Sequence, residues 1–168
     1  MEFVFETTYD LKALTAVAKG LRKTVRKKKS RCSRLLGMIL VLLSLFLALF
    51  TPPTSRTLLL LIVALLITAV LCFEDSLIGY IAKKRMLPGT NLQTSRFTDV
   101  SYHSVTDVGT TEFHYDRIVA IAESKDYFIF TFSDKHAQVH NKHTISGGSL
   151  DDFRFFIQQK TNLTIVQI

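Results

Sequence analysis

The chain opens on an alternation and then changes period. Over residues 1–8, Phe3 and Phe5 fall on one side and Glu2, Val4 and Glu6 on the other, which predicts a short strand. Asp10 is placed to cap a following helix. Beyond it Leu11, Leu14, Val17, Ala18, Leu21 and Val25 recur at helical spacing, with Lys12, Lys19, Arg22, Lys23 and Arg26 on the remaining faces. The polar pattern then stops. Residues 35–50 read LLGMILVLLSLFLALF and residues 57–73 read TLLLLIVALLITAVLCF, two runs without a charge. A bilayer core asks for about 20 residues at about 1.5 Å each, with about 17 as a minimum, so each run reaches full length only with its flanks. Neither has the polar stripe of a helix on a soluble domain. Pro52 and Pro53 lack the amide donor and end the first helix, and TPPTSR leaves a tight antiparallel turn.

The remainder alternates at the period of strands. Residues 96–102 and 103–108 do so moderately, and residues 112–121 and 127–132 are rich in aromatic and β-branched side chains, with a shorter strand over 135–140. Turns are expected at 108–110 and 124–126. Ser149 is a good N-cap for a last helix over 150–160, with Asp151 and Asp152 in its first turn and Phe153, Phe156 and Ile157 as its apolar face. The expected fold class is α+β: a two-helix transmembrane hairpin plus a small antiparallel β domain closed by a C-terminal helix. This divides the chain into an N-terminal strand and basic helix (1–34), the hairpin (35–73), a juxtamembrane linker (74–94) and a cytoplasmic β domain (95–168). The strand over 127–132 needs a paired neighbour, which residues 3–6 are placed to supply.

Charge sharpens this picture. The 168 residues hold 21 Lys+Arg against 14 Asp+Glu, a net +7. Residues 1–90 carry 14 basic and 5 acidic side chains and residues 91–168 carry 7 and 9, so the surplus lies wholly in the half that holds the apolar runs. Lys19, Arg22, Lys23, Arg26, Lys27, Lys28, Lys29, Arg31 and Arg34 precede the first run, Lys83, Lys84 and Arg85 follow the second, and the turn has only Arg56. Basic residues mark the cytoplasmic side, so these twelve are the candidate membrane-surface and topology residues, with both termini cytoplasmic and a multi-pass location in the inner (plasma) membrane. Two readings of the basic helix stay open: it lies on the anionic inner leaflet, or it packs on the soluble domain with its charges as topology signals. Nucleic acid is a poor partner, because no aromatic residues interleave with the cations and they abut hydrocarbon.

Candidate chemistry is sparse. His136, His140 and His143 have the spacing HxxxHxxH, but on a strand and turn they do not converge as they would on a helix, and they read as surface histidines. Cys32 and Cys72 sit at matching ends of the two runs and read as unpaired thiols in a reducing compartment. Glu74 and Asp75 are placed to pair with Arg31 or Arg34 across the hairpin. Gly147-Gly148 precedes a helix and fits either a turn or an anion site. No catalytic, cofactor or metal residues are expected.

The segment FHYDRIVAIAESKDYFIFTFSDKHAQVHNKHTISGGSLDDFRFFIQQK resembles the C-terminal module of the YcxB-like family of bacterial membrane proteins. Tyr115, Ile118, Ile121, Glu123, Asp126, Tyr127, Lys142, Gly147 and Phe153 carry the likeness. Tyr115 stands where the family has a tryptophan, and His140-Asn141 where it often has Ile-Pro. The N-terminal strand, basic helix and two short apolar runs also sit where the family has them. The resemblance implies a pleckstrin-homology-like fold and supplies no catalytic residues. The function expected is a non-enzymatic membrane protein presenting that domain to a protein partner or to its own copies, in envelope stress or self-protection (immunity-like). The alternatives are a homo-oligomeric channel lined by Ser44, Thr57 and Thr68, and a histidine-metal enzyme.

Overall fold

A computed structural model describes residues 2–168, so Met1, included in the opening alternation, lies outside the described residues. The chain begins with β1 (Phe3–Thr8) and α1 (Leu11–Lys23). The Asp10 carboxylate accepts from the Ala13 amide and caps α1, as its position predicts. The two apolar runs form α2 (Lys27–Phe50) and α3 (Ser55–Arg85). Both helices overrun the runs. Residues 74–85, expected as linker, continue α3, because nothing in EDSLIGYIAKKR breaks a helix.

Six strands follow: β2 (Leu92–Phe97), β3 (Ser101–Thr106), β4 (Gly109–His114), β5 (Ala120–Glu123), β6 (Tyr127–Thr131) and β7 (Ala137–Asn141). Then come α4 (Leu150–Thr161) and β8 (Ile165–Gln167). They build two four-stranded sheets, ordered β1-β2-β3-β4 and β7-β6-β5-β8. All pairings are antiparallel except β5 with β8, a parallel addition that the sequence pattern did not reveal. The expected strand over 96–102 is split by a turn at residues 98–100, so that Phe97 and Tyr102 both face the core. The expected strand over 112–121 is likewise broken by a 3₁₀ turn, Tyr115–Arg117.

β1 pairs with β2 and not with β6, which corrects the expected partner of the first strand. β6 lies inside its sheet between β5 and β7. It is buried at all five positions because the sheet is covered on both sides. Phe128 and Phe130 face the main core with Phe3, Phe5, Phe97, Tyr102 and Phe153 of α4. Ile129 and Tyr127 face α1 through Ala13. The basic helix therefore packs on the domain. Its apolar face is spent on β6, β7 and α3, while Leu11 and Val25, at the ends of the predicted stripe, are exposed. The N-terminal segment and the C-terminal sheet are one unit: Val4 exchanges backbone hydrogen bonds with Ser146 at 3.0 and 2.9 Å, and the Asn141 amide donates to the Thr7 hydroxyl. Gly147 takes φ 92°, and a Cβ there would collide with the Glu2 carbonyl.

The hairpin is different in kind. Only 6% of the most apolar window of α2 and 11% of that of α3 are buried, so these are not core helices of a soluble domain. Both are long and apolar enough to cross a membrane. They meet where Gly37 allows contact: a Cβ at that position would stand 3.0 Å from Leu71. α3 then docks on α1 at Gly79, where a Cβ would lie 2.8 Å from the Thr15 amide nitrogen.

Candidate functional site

Two ion pairs tie the apolar hairpin to the domain. Arg22 of α1 holds Asp75 of α3 through both carboxylate oxygens, with Nε 2.7 Å from Oδ1. The side chains are 14% and 16% exposed, so water screens the pair little. Arg34 of α2 meets Glu74 at 2.9 Å. The Glu74 pairing agrees with expectation. Asp75 instead turns to Arg22, because the α1–α3 contact brings that guanidinium closer than anything on α2.

Around these pairs the basic segment forms a pocket of about 370 Å³. Arg22 and Lys23 come from α1, Lys27, Ser30, Arg31 and Arg34 from α2, and Val166 and Gln167 from β8. Five of the twelve candidate surface residues thus converge. Lys19, Lys28 and Lys29 point elsewhere on α1 and α2. Arg26 donates to the Asp134 carbonyl. Lys83, Lys84 and Arg85 lie on the last turn of α3, about 15 Å beyond Phe73 at 1.5 Å per residue, and Lys84 covers the Tyr80 ring. The pocket's β8 wall is invisible from charge alone. The β-branched pair Ile165-Val166 after the left-handed Asn162 was the available signal.

Beneath β8 lies a second polar cluster. Glu123, 2% exposed, receives Lys142 Nζ at 2.6 Å, Arg154 Nη2 at 2.6 Å and Gln167 Nε2 at 2.9 Å. Burial alone would raise this carboxyl, but the hydrogen bonds outweigh it and hold it at about 2. Every partner is a donor, so the cluster is a satisfied structural lock joining β5, α4 and β8. No general base is left free in it.

The histidines separate. His143 meets Asp126 at 3.0 Å, and His136 lies in the loop before β7. His140, expected at the surface, is fully buried among Phe5, Phe97, Tyr102 and Phe130. Neither of its ring nitrogens has a hydrogen-bond partner, and burial pushes the imidazole down to about 3. β7 is buried on both faces, so strand alternation gave no polar side on which to place it. Among the described residues no three His, Cys, Asp or Glu side chains come together. Cys32 and Cys72 are free and exposed. Gly147-Gly148 is a tight turn: it is filled by β1, with Phe3 against Gly148.

Residues 97–157 match the family model described as YcxB-like protein. Over those residues the chain is similar to the YcxB-like family. The match runs from the end of β2 into α4, so the likeness read in Tyr115, Glu123, Lys142 and Phe153 falls inside it, while the hairpin, β1 and β8 lie outside. Within this YcxB-like segment Tyr115 keeps a buried ring and donates from its hydroxyl to the Thr98 carbonyl at 2.6 Å. No curated protein matches the chain.

Proposed function

We propose that this is a non-enzymatic integral membrane protein of the plasma membrane, in which the hairpin crosses twice and holds a pleckstrin-homology-like domain on the cytoplasmic face. The observation that carries the reading is the contrast between the exposed apolar windows of α2 and α3 and the polar ends of the same helices, which are bonded to the domain by Arg22–Asp75 and Arg34–Glu74. Two sheets around an aromatic core with a closing α4 support the pleckstrin-homology-like comparison. The basic residues on Lys27–Arg34 favour the inner leaflet by about 1 kcal/mol each near an anionic surface.

The domain serves contact with a protein partner or a second copy. Among the sheet edges, β4 is exposed at five of six positions, whereas the aromatic strand β6 lies inside its sheet. The narrower role in envelope stress or self-protection predicts that deletion sensitises cells to membrane-active peptides; unchanged susceptibility removes it. The channel reading has no specific support. Ser44, Thr57 and Thr68 each donate to a carbonyl of their own helix or its turn. Alkaline carbonate washing tests the membrane assignment: the protein stays in the membrane pellet, and release into the supernatant contradicts it.

A further inference from the structure

One face of α2 changes character along its length. Lys27, Arg31, Arg34, Met38 and Val41 recur at intervals of three and four and so share a stripe. Its first part lines the cationic pocket described above. Its second part lines a groove of about 400 Å³ between α2 and α3, walled by Met38, Val41 and Leu42 on one side and Thr68, Leu71 and Cys72 on the other. Arg34 lines both. The two spaces therefore adjoin at one guanidinium, charged on the domain side and apolar on the hairpin side.

The charge in the pocket is not cancelled. Arg22 and Arg34 have carboxylate partners, whereas Lys23, Lys27 and Arg31 have none among the described residues. Ser30 Oγ, also lining the pocket, is buried without a hydrogen-bond partner. The N-terminus of α2 opens at Lys27 with no side-chain cap and no acidic residue in its first turn, which adds positive potential at the same place. An occupant that satisfies both halves has an anionic oxygen-rich head and an aliphatic tail. We propose that this stripe is a specific site for one anionic phospholipid, with its phosphate at Lys27, Arg31 and Ser30 and an acyl chain along Met38 and Leu71. A choline headgroup would add a cation where three already lack partners. The proposal rests on the membrane reading above and goes beyond general leaflet attraction by naming a site.

The test uses the full chain in a non-ionic detergent, with native mass spectrometry counting retained lipid. One dioleoylphosphatidylglycerol is expected to remain bound, with dioleoylphosphatidylcholine retained about tenfold less. Lys27→Gln with Arg31→Gln weakens phosphatidylglycerol retention about tenfold, while Lys83→Gln with Lys84→Gln, removing equal charge from the far end of α3, leaves it within about twofold. Met38→Trp fills the groove and lowers retention with every cation in place. Equal retention of the two lipids, or equal losses in the two charge variants, overturns the proposal. Displacement of the lipid by millimolar inorganic phosphate also overturns it, because the site would then read the head alone. Melting curves establish that the variants are folded, and the groove variant keeps the test decisive if the charge variant is not. Carbonate release with retained lipid selectivity would defeat the membrane reading and not the site; carbonate resistance with no selectivity would do the reverse.

Discussion

Arg22 and Asp75 lie 53 positions apart in sequence and form the two-pronged contact that fixes the domain to the hairpin. Both side chains are largely shielded from solvent. Removing one partner leaves the other charge unpaired, and Asp75→Asn or Arg22→Gln is expected to cost roughly 2–3 kcal/mol. The double variant costs less than the two single losses together, because no charge is stranded. Thermal melting of the four proteins in one detergent measures this coupling; strict additivity would mean the pair is not acting as one unit.

The same junction depends on the absence of a side chain. Gly79→Val places atoms against the backbone of Thr15, which cannot move aside as a flexible side chain would. A loss of about 1–3 kcal/mol is expected from overpacking. Gly109 has open space around its Cβ position, so Gly109→Ala should be near neutral in the same melting assay.

The Glu123 lock gives the domain an acid limit. The carboxyl sits below its ordinary value in the folded protein, so the unfolded chain takes up the proton first as pH falls. Its stabilisation is complete above about pH 5 and is lost progressively towards pH 2, a window set by the unfolded value of about 4.3 and the folded value of about 2. Asp126, also held at about 2 by His143 and Lys12, adds loss in the same range. Glu123→Gln is expected to lower stability at pH 7 by a few kcal/mol and to flatten the acid limb. Urea titrations at several pH values test both effects.

His140 acts earlier on the pH scale. Its folded value of about 3 lies below the ordinary 6.5, so protonation of the unfolded chain draws stability away as pH falls from about 6.5 to 3. At higher pH its two unpaired nitrogens still carry a desolvation cost. His140→Ile, the aliphatic residue that the family resemblance places there, should stabilise the domain by about 1 kcal/mol at pH 8 and by more at pH 5. An unchanged pH dependence of the urea midpoint would contradict the buried neutral imidazole.

What could be read from the sequence follows from where one face of an element stays polar. β1 alternates visibly because Phe3 and Phe5 face the core while Glu2 and Glu6 face out. α4 announces itself through Ser149, whose hydroxyl accepts from the Asp152 amide in a complete capping box. The hairpin followed from uninterrupted apolar runs. The strand boundaries around residues 98–117 are not legible because Ser, Thr and His fill both faces, and only the turn at 98–100 sets the parity of Phe97 and Tyr102. The burial of His140 is hidden for the opposite reason, since β7 is covered on both faces. At the candidate site, the cations were legible as a cluster. Which five converge depends on α1 packing against α3 and on β8 joining β5 in parallel, long-range relations without a local signature.

The orientation of the hairpin is the most direct test of the whole account. In a chain with Cys32 and Cys72 replaced by serine, a single cysteine at Ser55, the first residue of α3 at the hairpin tip, is compared with one at Lys125, in the β5–β6 turn. An impermeant maleimide applied to intact spheroplasts should label the Ser55→Cys protein, and should label Lys125→Cys only after permeabilisation. Labelling of Lys125→Cys in intact spheroplasts, or protection of both positions until lysis, would contradict a twice-crossing hairpin with a cytoplasmic domain.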